Sequence, residues 1–592
     1  MYSPTTILSL VEQGLPKNVT GTVAATKRDG EWIETSRPEF ERQVEAFAHA
    51  LRELGVQRGD RVAVHSENST EWLVADQAIL SIGAVNVPIY TTQPADQIQF
   101  ILENSEAVAY IVSSPKLHGP VAEIIPRVAT LKTVIGIRGA FAPGMVSWQD
   151  ALQRGEAAKA RDPGFFAAER AQAKPDDLAT LIYTSGTTGT PKGVMLTHWN
   201  LASNVLSSLE RMPWDIEGER GQKILSYLPL SHVFERMLSY LYLNIGYPIW
   251  FIENIEEMLK DLSHVKPVHF SSVPRLLEKV VNGIHAKPAQ LHGLQKKILT
   301  WGIGLADRFD VEKPLPLGDR VQYALADAVV FKKLRALFGG NLKAITSGGA
   351  ALPKEVMNFI NAIGIFCGQG YGLSETSPVI AVYTKGHLRA GSVGEPITGV
   401  ELKIAEDGEI LVRGPNVMKG YYRNPEASAE VMTEDGWFKT GDVGHLDAEG
   451  VLFITDRKKE LMKLSTGKYI APQPIEQRLG ASRYIEQAVV IGNNHQFCTA
   501  LVVLDTAAVT AHFTEAGKPV PADLAGDDEV RALIQKEVDQ VNAGLPHWEQ
   551  VKKFALVKRP WSIETGELTP TLKIKRRVVH ERHAAEIQTL YA

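Results

Sequence analysis

Cysteine is nearly absent from this 592-residue chain. Cys367 and Cys498 are too few for a disulfide framework or a four-thiolate zinc site, and they suit a reducing compartment. Charge of one dominant sign is missing as well. The formal net is −5, from 63 basic and 68 acidic side chains, so no overall field favours nucleic acid as a partner. Long apolar runs are lacking. The start, MYSPTTILSLVEQG, has no basic leader and is interrupted by Glu12, so no export signal is read and a cytoplasmic location is expected. The most membrane-like stretch, 237–252, is broken by Ser239, Asn244, Gly246 and Pro248. It falls short of the roughly 20 apolar residues of a spanning helix and reads as a buried helix followed by a buried strand. There is no repeat, and no His-Glu-x-x-His zinc motif. GLSET (372–376) lacks the last glycine of a hydrolase nucleophile elbow.

What is present is alternation. Val44, Phe47, Ala48 and Leu51 share a helix face, Gly55 stops that helix, and RVAVHS (61–66) reads as a strand. Further strands are expected in 83–90, 108–114, 178–185, 223–229, 248–252, 269–274 and 342–349, separated by helix-compatible segments. That is the pattern of parallel sheets with crossover helices, so the fold class is α/β. Residues 155–177, rich in Ala, Arg and Pro, read as a surface connection. Beyond Gly391 the texture changes: Asp407-Gly408 between short extended runs marks a hairpin in a small antiparallel unit. A second shift follows 451–463. The expected organisation is a large, multi-lobed N-terminal domain over residues 1–455 and a small, mobile α+β domain over 456–592.

The strongest chemical signal is YTSGTTGTPKG, 183–193, which follows an apolar strand and precedes a helix-compatible run. Its glycines allow close backbone approach, its hydroxyls supply donors, and Lys192 adds a cation, a set suited to wrapping a polyphosphate. The spacing is not that of a Walker loop.

This segment resembles the signature of the adenylate-forming superfamily of acyl-CoA synthetases, adenylation domains and beetle luciferases. The other motifs of that superfamily follow in order: QGYGLSET (369–376), GWFKTGD (436–442), TDRKKELMK (455–463) and LTPTLKIKR (568–576). The resemblance implies ATP contacts from Thr184, Ser185, Gly186, Thr187, Thr188, Gly189 and Lys192. It implies further nucleotide contacts from Gly349, Ala350, Gln369, Gly370, Tyr371, Gly372 and Thr376, with Tyr371 stacking on adenine. Asp442 is expected on the ribose, Arg457 beside it, and Gly467 in a loop that moves for thioester formation. Thr187 and Glu375 are the implied Mg²⁺ contacts.

Three catalytic residues are implied. Lys573 matches the lysine that stabilises charge on the phosphoryl oxygens during adenylation, with Lys575 the alternative because Leu572 replaces the commoner glycine. His232, in LPLSHVFER (228–236), would lie near the reacting acid. Lys463 belongs to the moving loop, and Lys459 sits where related enzymes hinge. No aspartate lies between Tyr227 and Glu235 to meet an α-amine, so a plain carboxylic acid is favoured. VPRLLEK (273–279), the insertion running to Phe338 and SGGAAL (347–352) resemble the long-chain fatty acyl-CoA synthetase branch. The glycines at 348 and 349 would leave room for an alkyl tunnel.

The expected substrates are a medium- to long-chain fatty acid, ATP and coenzyme A. Between 552 and 582 nine basic side chains face three acidic ones, a candidate dock for the CoA phosphates. The insertion is an ordinary helical subdomain or a surface that rests peripherally on a bilayer. Two competing functions remain open: a ligase that passes the acyl group to a carrier protein, and a catalytically inactive acyl-binding scaffold.

Overall fold

The computed structural model describes residues 2–184, 190–384, 386–563, 565–569 and 573–592. Its contacts divide the chain into two compact units. One comprises Met1–Leu277, Lys287–Lys403 and Leu411–Lys439; the other comprises Glu278–Ala286, Ile404–Ile410 and Thr440–Ala592.

Two largely parallel sheets build the first unit. In one, the strands run in the order Val146–Ser147, Thr133–Gly136, Ala107–Val112, Arg61–His65, Val85–Ile89, Leu178–Thr184, Lys192–Thr197. Residues 85–89 and 107–112 are buried without interruption, because helices on both faces exclude water from a parallel sheet. One covering helix, Arg37–Glu53, starts where Ser36 accepts from the Glu39 N–H, and it buries the expected face of Val44, Phe47, Ala48 and Leu51.

The second sheet runs Glu395–Pro396, Val379–Val382, Phe366–Gly372, Ala344–Ser347, His269–Ser272, Ile224–Ser226, Ile249–Phe251, Thr22–Arg28, Glu31–Ser36. It is parallel from 366–372 across to 22–28 and antiparallel at both edges. Each strand expected from the sequence is present. The apolar stretch near 240 is the buried helix Val233–Ile245 followed by the strand Ile249–Phe251. No helix among the described residues is long and apolar enough to cross a membrane.

One expectation fails by packing. Residues 155–177 are not a plain surface connection, because 148–161 and 165–171 are helical. Gly155 is buried where a Cβ would lie 1.7 Å from the Ala46 carbonyl oxygen, and Trp148 packs on Phe47 at 4.3 Å between ring centroids. Gly155 and Ala158 are the small residues turned inward there, while most of the other alanines are exposed, a division that composition alone does not show.

A four-stranded sheet follows, in the order Glu401–Ile404, Glu409–Arg413, Phe438–Leu446, Leu452–Arg457. Its first turn is the expected one, with Gly408 at φ +83°. The second unit holds the three-stranded sheet Ile485–Ile491, Cys498–Leu504, Val551–Val557, and the short hairpin Met462–Lys463 with Tyr469–Ile470. Helices Pro472–Gly480, Thr506–Glu515 and Asp528–Ala543 accompany these strands, giving the α+β composition expected of the C-terminal part.

Candidate functional site

The phosphate-loop motif joins two antiparallel strands. Thr184 pairs with Lys192, and Tyr183 with Gly193, so the motif closes a hairpin and the next helix, His198–Leu209, begins only after six residues of strand. The helix-compatible run expected beyond the motif is that helix, reached once the returning strand ends at Thr197. Ser185, Gly186, Thr187, Thr188 and Gly189 lie outside the described residues. Lys192, first residue of the returning strand, holds its ammonium 5.0 Å from the Tyr421 ring centroid.

Tyr421 is the residue that the sequence reading missed. Its hydroxyl donates to Glu375 Oε1 at 2.8 Å, so one side chain touches both the phosphate-loop lysine and the carboxylate of GLSET. The segment around it is stitched to the hairpin by backbone bonds from Met195 N to Gly420 O, Lys419 N to Met195 O and Tyr422 N to Gly193 O. Met418 N donates to Glu375 O at 2.8 Å. Two buried amides finish the join: Asn204 and Asn416 each donate to the carbonyls of Thr376 and Val379. The available signal was the run GPNVMKGYY, 414–422, whose glycines and paired tyrosines break the texture of the surrounding β unit.

GLSET itself is shaped by steric exclusion. A Cβ on Gly372 would lie 1.9 Å from the Pro378 oxygen, so only glycine lets the strand Phe366–Gly372 turn back on itself here. Thr376 is fully buried and its hydroxyl donates to the Leu373 and Pro378 carbonyls while accepting from Leu373 N. Gln369 accepts from Leu352 N at 2.7 Å and donates to Ser392 O at 2.8 Å, tying two loops together. Both side chains thus hold the loop, while Gly370 and Tyr371 continue the strand opposite Val382 and Ala381. Gly349 and Ala350 are exposed at the end of Ala344–Ser347; Gly349 has φ +82° and open space where a Cβ would stand. Gly348, by contrast, faces the Phe234 ring, which would lie 3.2 Å from an added Cβ.

His232 caps the helix Val233–Ile245. Its Nδ1 accepts from Phe234 N at 3.2 Å, which assigns the ring proton to Nε2. Its ring lies 6.4 Å from that of Tyr90. The helix is anchored by fully buried Arg236, which pairs with Asp76 and donates to Tyr240 and Thr180. Thr180 stands on the strand that ends at Thr184, so this network links the His232 helix to the phosphate-loop hairpin. Glu235 behind it receives the Ser226 and Ser271 hydroxyls, and burial pushes its carboxyl up to about 7.

In the second unit, Asp442 and Arg457 sit opposite one another on paired strands, with Nε to Oδ1 at 3.2 Å. Asp442 is 4% exposed. Lys463 and Tyr469 are cross-strand partners in the short hairpin, whose turn uses Gly467 at φ +85°. Lys573 is exposed on a second small hairpin, where Leu568 bridges Ile574 and Thr569 Oγ1 accepts from Lys573 N at 2.9 Å. Lys575 is half-buried and gives its N–H to Glu567 O. Part of the local basic excess is met internally. Arg559 and Arg582 share Glu567, Arg576 binds Glu460 and Glu476, and Arg577 lies 3.8 Å from Glu581.

Comparison with known proteins places this geometry. Residues 16–422 match the AMP-binding enzyme family, and residues 459–592 match the AMP-binding enzyme C-terminal domain. The long-chain-fatty-acid--CoA ligase FadD15 of Mycobacterium bovis is 39% identical over 572 residues, covering 95% of this chain and 93% of that protein. The chloroplastic long-chain-fatty-acid--[acyl-carrier-protein] ligase AEE15 of Arabidopsis thaliana is 31% identical, covering 94% of this chain and 82% of its own length. The A domain of a carboxylic acid reductase from Segniliparus rugosus, solved with AMP and a co-purified carboxylic acid, superposes with a TM-score of 0.74 at 22% identity, over 100% of this chain and 95% of that one. With both family matches in chain order and covering most of its length, the chain belongs to the AMP-binding enzymes, the adenylate-forming superfamily.

Proposed function

We propose that this chain is an ATP-dependent ligase joining a medium- to long-chain fatty acid to coenzyme A. In the first step a carboxylate oxygen attacks the α-phosphorus of ATP. A P–O bond forms to the acid as the bond to pyrophosphate breaks, giving acyl-adenylate. In the second, the CoA sulfur attacks the acyl carbon, a C–S bond forms, AMP leaves, and the thiol proton passes to solvent. The observation that carries the reading is the Lys192, Tyr421, Glu375 constellation at the mouth of the phosphate-loop hairpin, within a chain 39% identical to a fatty acid ligase over nearly its full length.

The roles follow from charge. Attack loads negative charge onto phosphoryl oxygens, and a cation placed there is worth more in the transition state than before it. Lys573 supplies that cation, and Lys192 holds the outer phosphates. Asp442, buried and aligned by Arg457, accepts from the ribose hydroxyls, while Tyr371 offers a flat face to adenine. Mg²⁺ carried on phosphates needs only one or two protein oxygens. Glu375, oriented by Tyr421, fits as one contact and Thr187 is assigned as the other; the ion would neutralise phosphate charge.

His232, with its proton on Nε2, donates to the incoming carboxylate and orients it. Burial of the alkyl tail contributes about 0.8 kcal/mol per methylene before entropy costs, so chain length sets much of the affinity. Lys463 and Gly467 belong to the loop that serves thioester formation, with Lys459 as the joint and residues 456–592 as the moving part. We place the enzyme in the cytoplasm. Peripheral membrane contact is assigned to the insertion, where Leu317, Val321 and Leu325 project outward at 79%, 74% and 57% exposure beside Arg320. Retention on anionic vesicles, lost in Leu317→Ser/Val321→Ser, tests that contact.

The deciding experiment is AMP release across acids from acetate to long saturated, unsaturated and aromatic members, with and without CoA. A CoA-dependent peak at medium or long chains is expected. A peak at acetate or an aromatic acid overturns the substrate class. Release driven by an acyl carrier protein but not by CoA would favour a carrier-protein ligase, the reading that the likeness to AEE15 keeps open. No acid-dependent pyrophosphate exchange at all would leave an inactive acyl-binding scaffold.

A further inference from the structure

Arg576 stands three residues beyond Lys573, and its guanidinium is wholly committed. Nε donates to Glu460 Oε2 at 3.1 Å, one terminal nitrogen pairs with Glu476, and the other reaches Val490 O at 3.3 Å. The site is built for it: Glu476 also accepts from Val490 N at 2.6 Å, and Gln473 donates to Glu460 at 3.4 Å. The arginine side chain is 19% exposed, and the pairing raises its already high affinity for the proton, so it carries a permanent charge in a largely dry setting.

The position of Glu460 gives this pairing meaning. Lys459, exposed, lies between two anchored neighbours. On one side, Lys458 bonds Asp407 and Glu409 and gives its N–H to Gly441 O. On the other, Glu460 is held by Arg576. A rotation about Lys459 therefore has a defined downstream edge at Glu460, and Arg576 ties that edge to the hairpin bearing Lys573. The hairpin's base is fixed independently by Glu567, fully buried between Arg559 and Arg582.

We infer that Arg576, through Glu460, is a positioning residue for adenylation, coupling the Lys459 joint to the Lys573 hairpin so that both turn as one body. This rests on the proposed role of Lys573 and adds to it a mechanical linkage. Without the tie the hairpin keeps its fold, but its ammonium arrives in a spread of positions, and a transition-state contact is more sensitive to such spread than ground-state binding is.

The test separates the half-reactions in the full-length enzyme. Fatty-acid-dependent ATP–pyrophosphate exchange reports the first, and CoA-dependent consumption of supplied acyl-adenylate reports the second. Glu460→Gln and Arg576→Lys are each expected to lower the exchange kcat about tenfold, with KM for ATP and the second half-reaction within about twofold of wild type. The double variant is expected to cost no more than the worse single one, because both remove the same tie. Parallel loss of both half-reactions, or loss following a fall in melting temperature, would reduce Arg576 to a stability residue and overturn the inference. Unchanged exchange in Glu460→Gln would overturn it as well. Lys573→Ala run alongside keeps the failures apart: if it abolishes exchange while Glu460→Gln does not, only the linkage fails.

Discussion

Tyr421 donates its phenolic hydrogen to Glu375 at 2.8 Å. The bond fixes the plane of the carboxylate, while the face of the same ring holds the Lys192 ammonium, so the carboxylate and cation of the proposed phosphate site share one support. Tyr421→Phe removes the bond and keeps the ring. A hydrogen bond to a charged group is worth about 1.5–3 kcal/mol, so exchange at limiting Mg·ATP should fall roughly 10- to 100-fold. Tyr421→Ala should fall further, because it also strips the ring from Lys192. Initial rates over a range of ATP concentrations check both, and a phenylalanine variant equal to wild type would contradict the shared support.

His232 caps a helix, and we propose that it also orients the substrate carboxylate; substitution can separate the two. Asparagine also caps helices well, so His232→Asn should retain the bond to Phe234 N and melt close to wild type. It loses Nε2–H, and kcat/KM for the fatty acid should drop about tenfold. His232→Ala loses the cap too, about 1 kcal/mol of stability, which calorimetry would register as a lower melting temperature.

Glu235 predicts a pH dependence of stability. Burial raises its folded pKa from 4.5 to about 7, and its bonds come from the serine hydroxyls of Ser226 and Ser271. The unfolded chain releases this proton first. The contribution is therefore fully present below pH 4.5 and is lost as pH rises through 7, about 3 kcal/mol in total. Glu235→Gln should remove that slope: it should melt higher than wild type at pH 8 and show no such advantage at pH 4.5. Melting temperatures at four pH values between 4.5 and 8 decide it, and an unchanged slope would count against the assignment.

How far the sequence could be read depends on the range of the forces involved. Val85–Ile89 and Ala107–Val112 were legible because strands buried on both faces must be apolar throughout, and Asp407-Gly408 because a tight turn needs local φ freedom. The Thr184 to Lys192 hairpin was not, since strand pairing depends on a partner that local composition does not name. Tyr421, Asn204 and Asn416 escaped for the same reason: each acts on a residue tens to hundreds of positions away. Thr376 and Gln369 carry family-like motif positions, yet their side-chain bonds serve the loop itself. Arg576 read as one more member of a basic run, and only the fold reveals the carboxylates that claim it.

The account turns on a single ammonium group. Lys573 and Lys575 stand two residues apart, one exposed on its hairpin and one drawn half under cover with its N–H on Glu567. Fatty-acid-dependent ATP–pyrophosphate exchange should fall by about a thousandfold or more in Lys573→Ala, the scale of losing a preorganised charge from a phosphoryl transition state. Lys575→Ala should stay within a few-fold of wild type. Exchange as fast in Lys573→Ala as in the unaltered enzyme would contradict the mechanism.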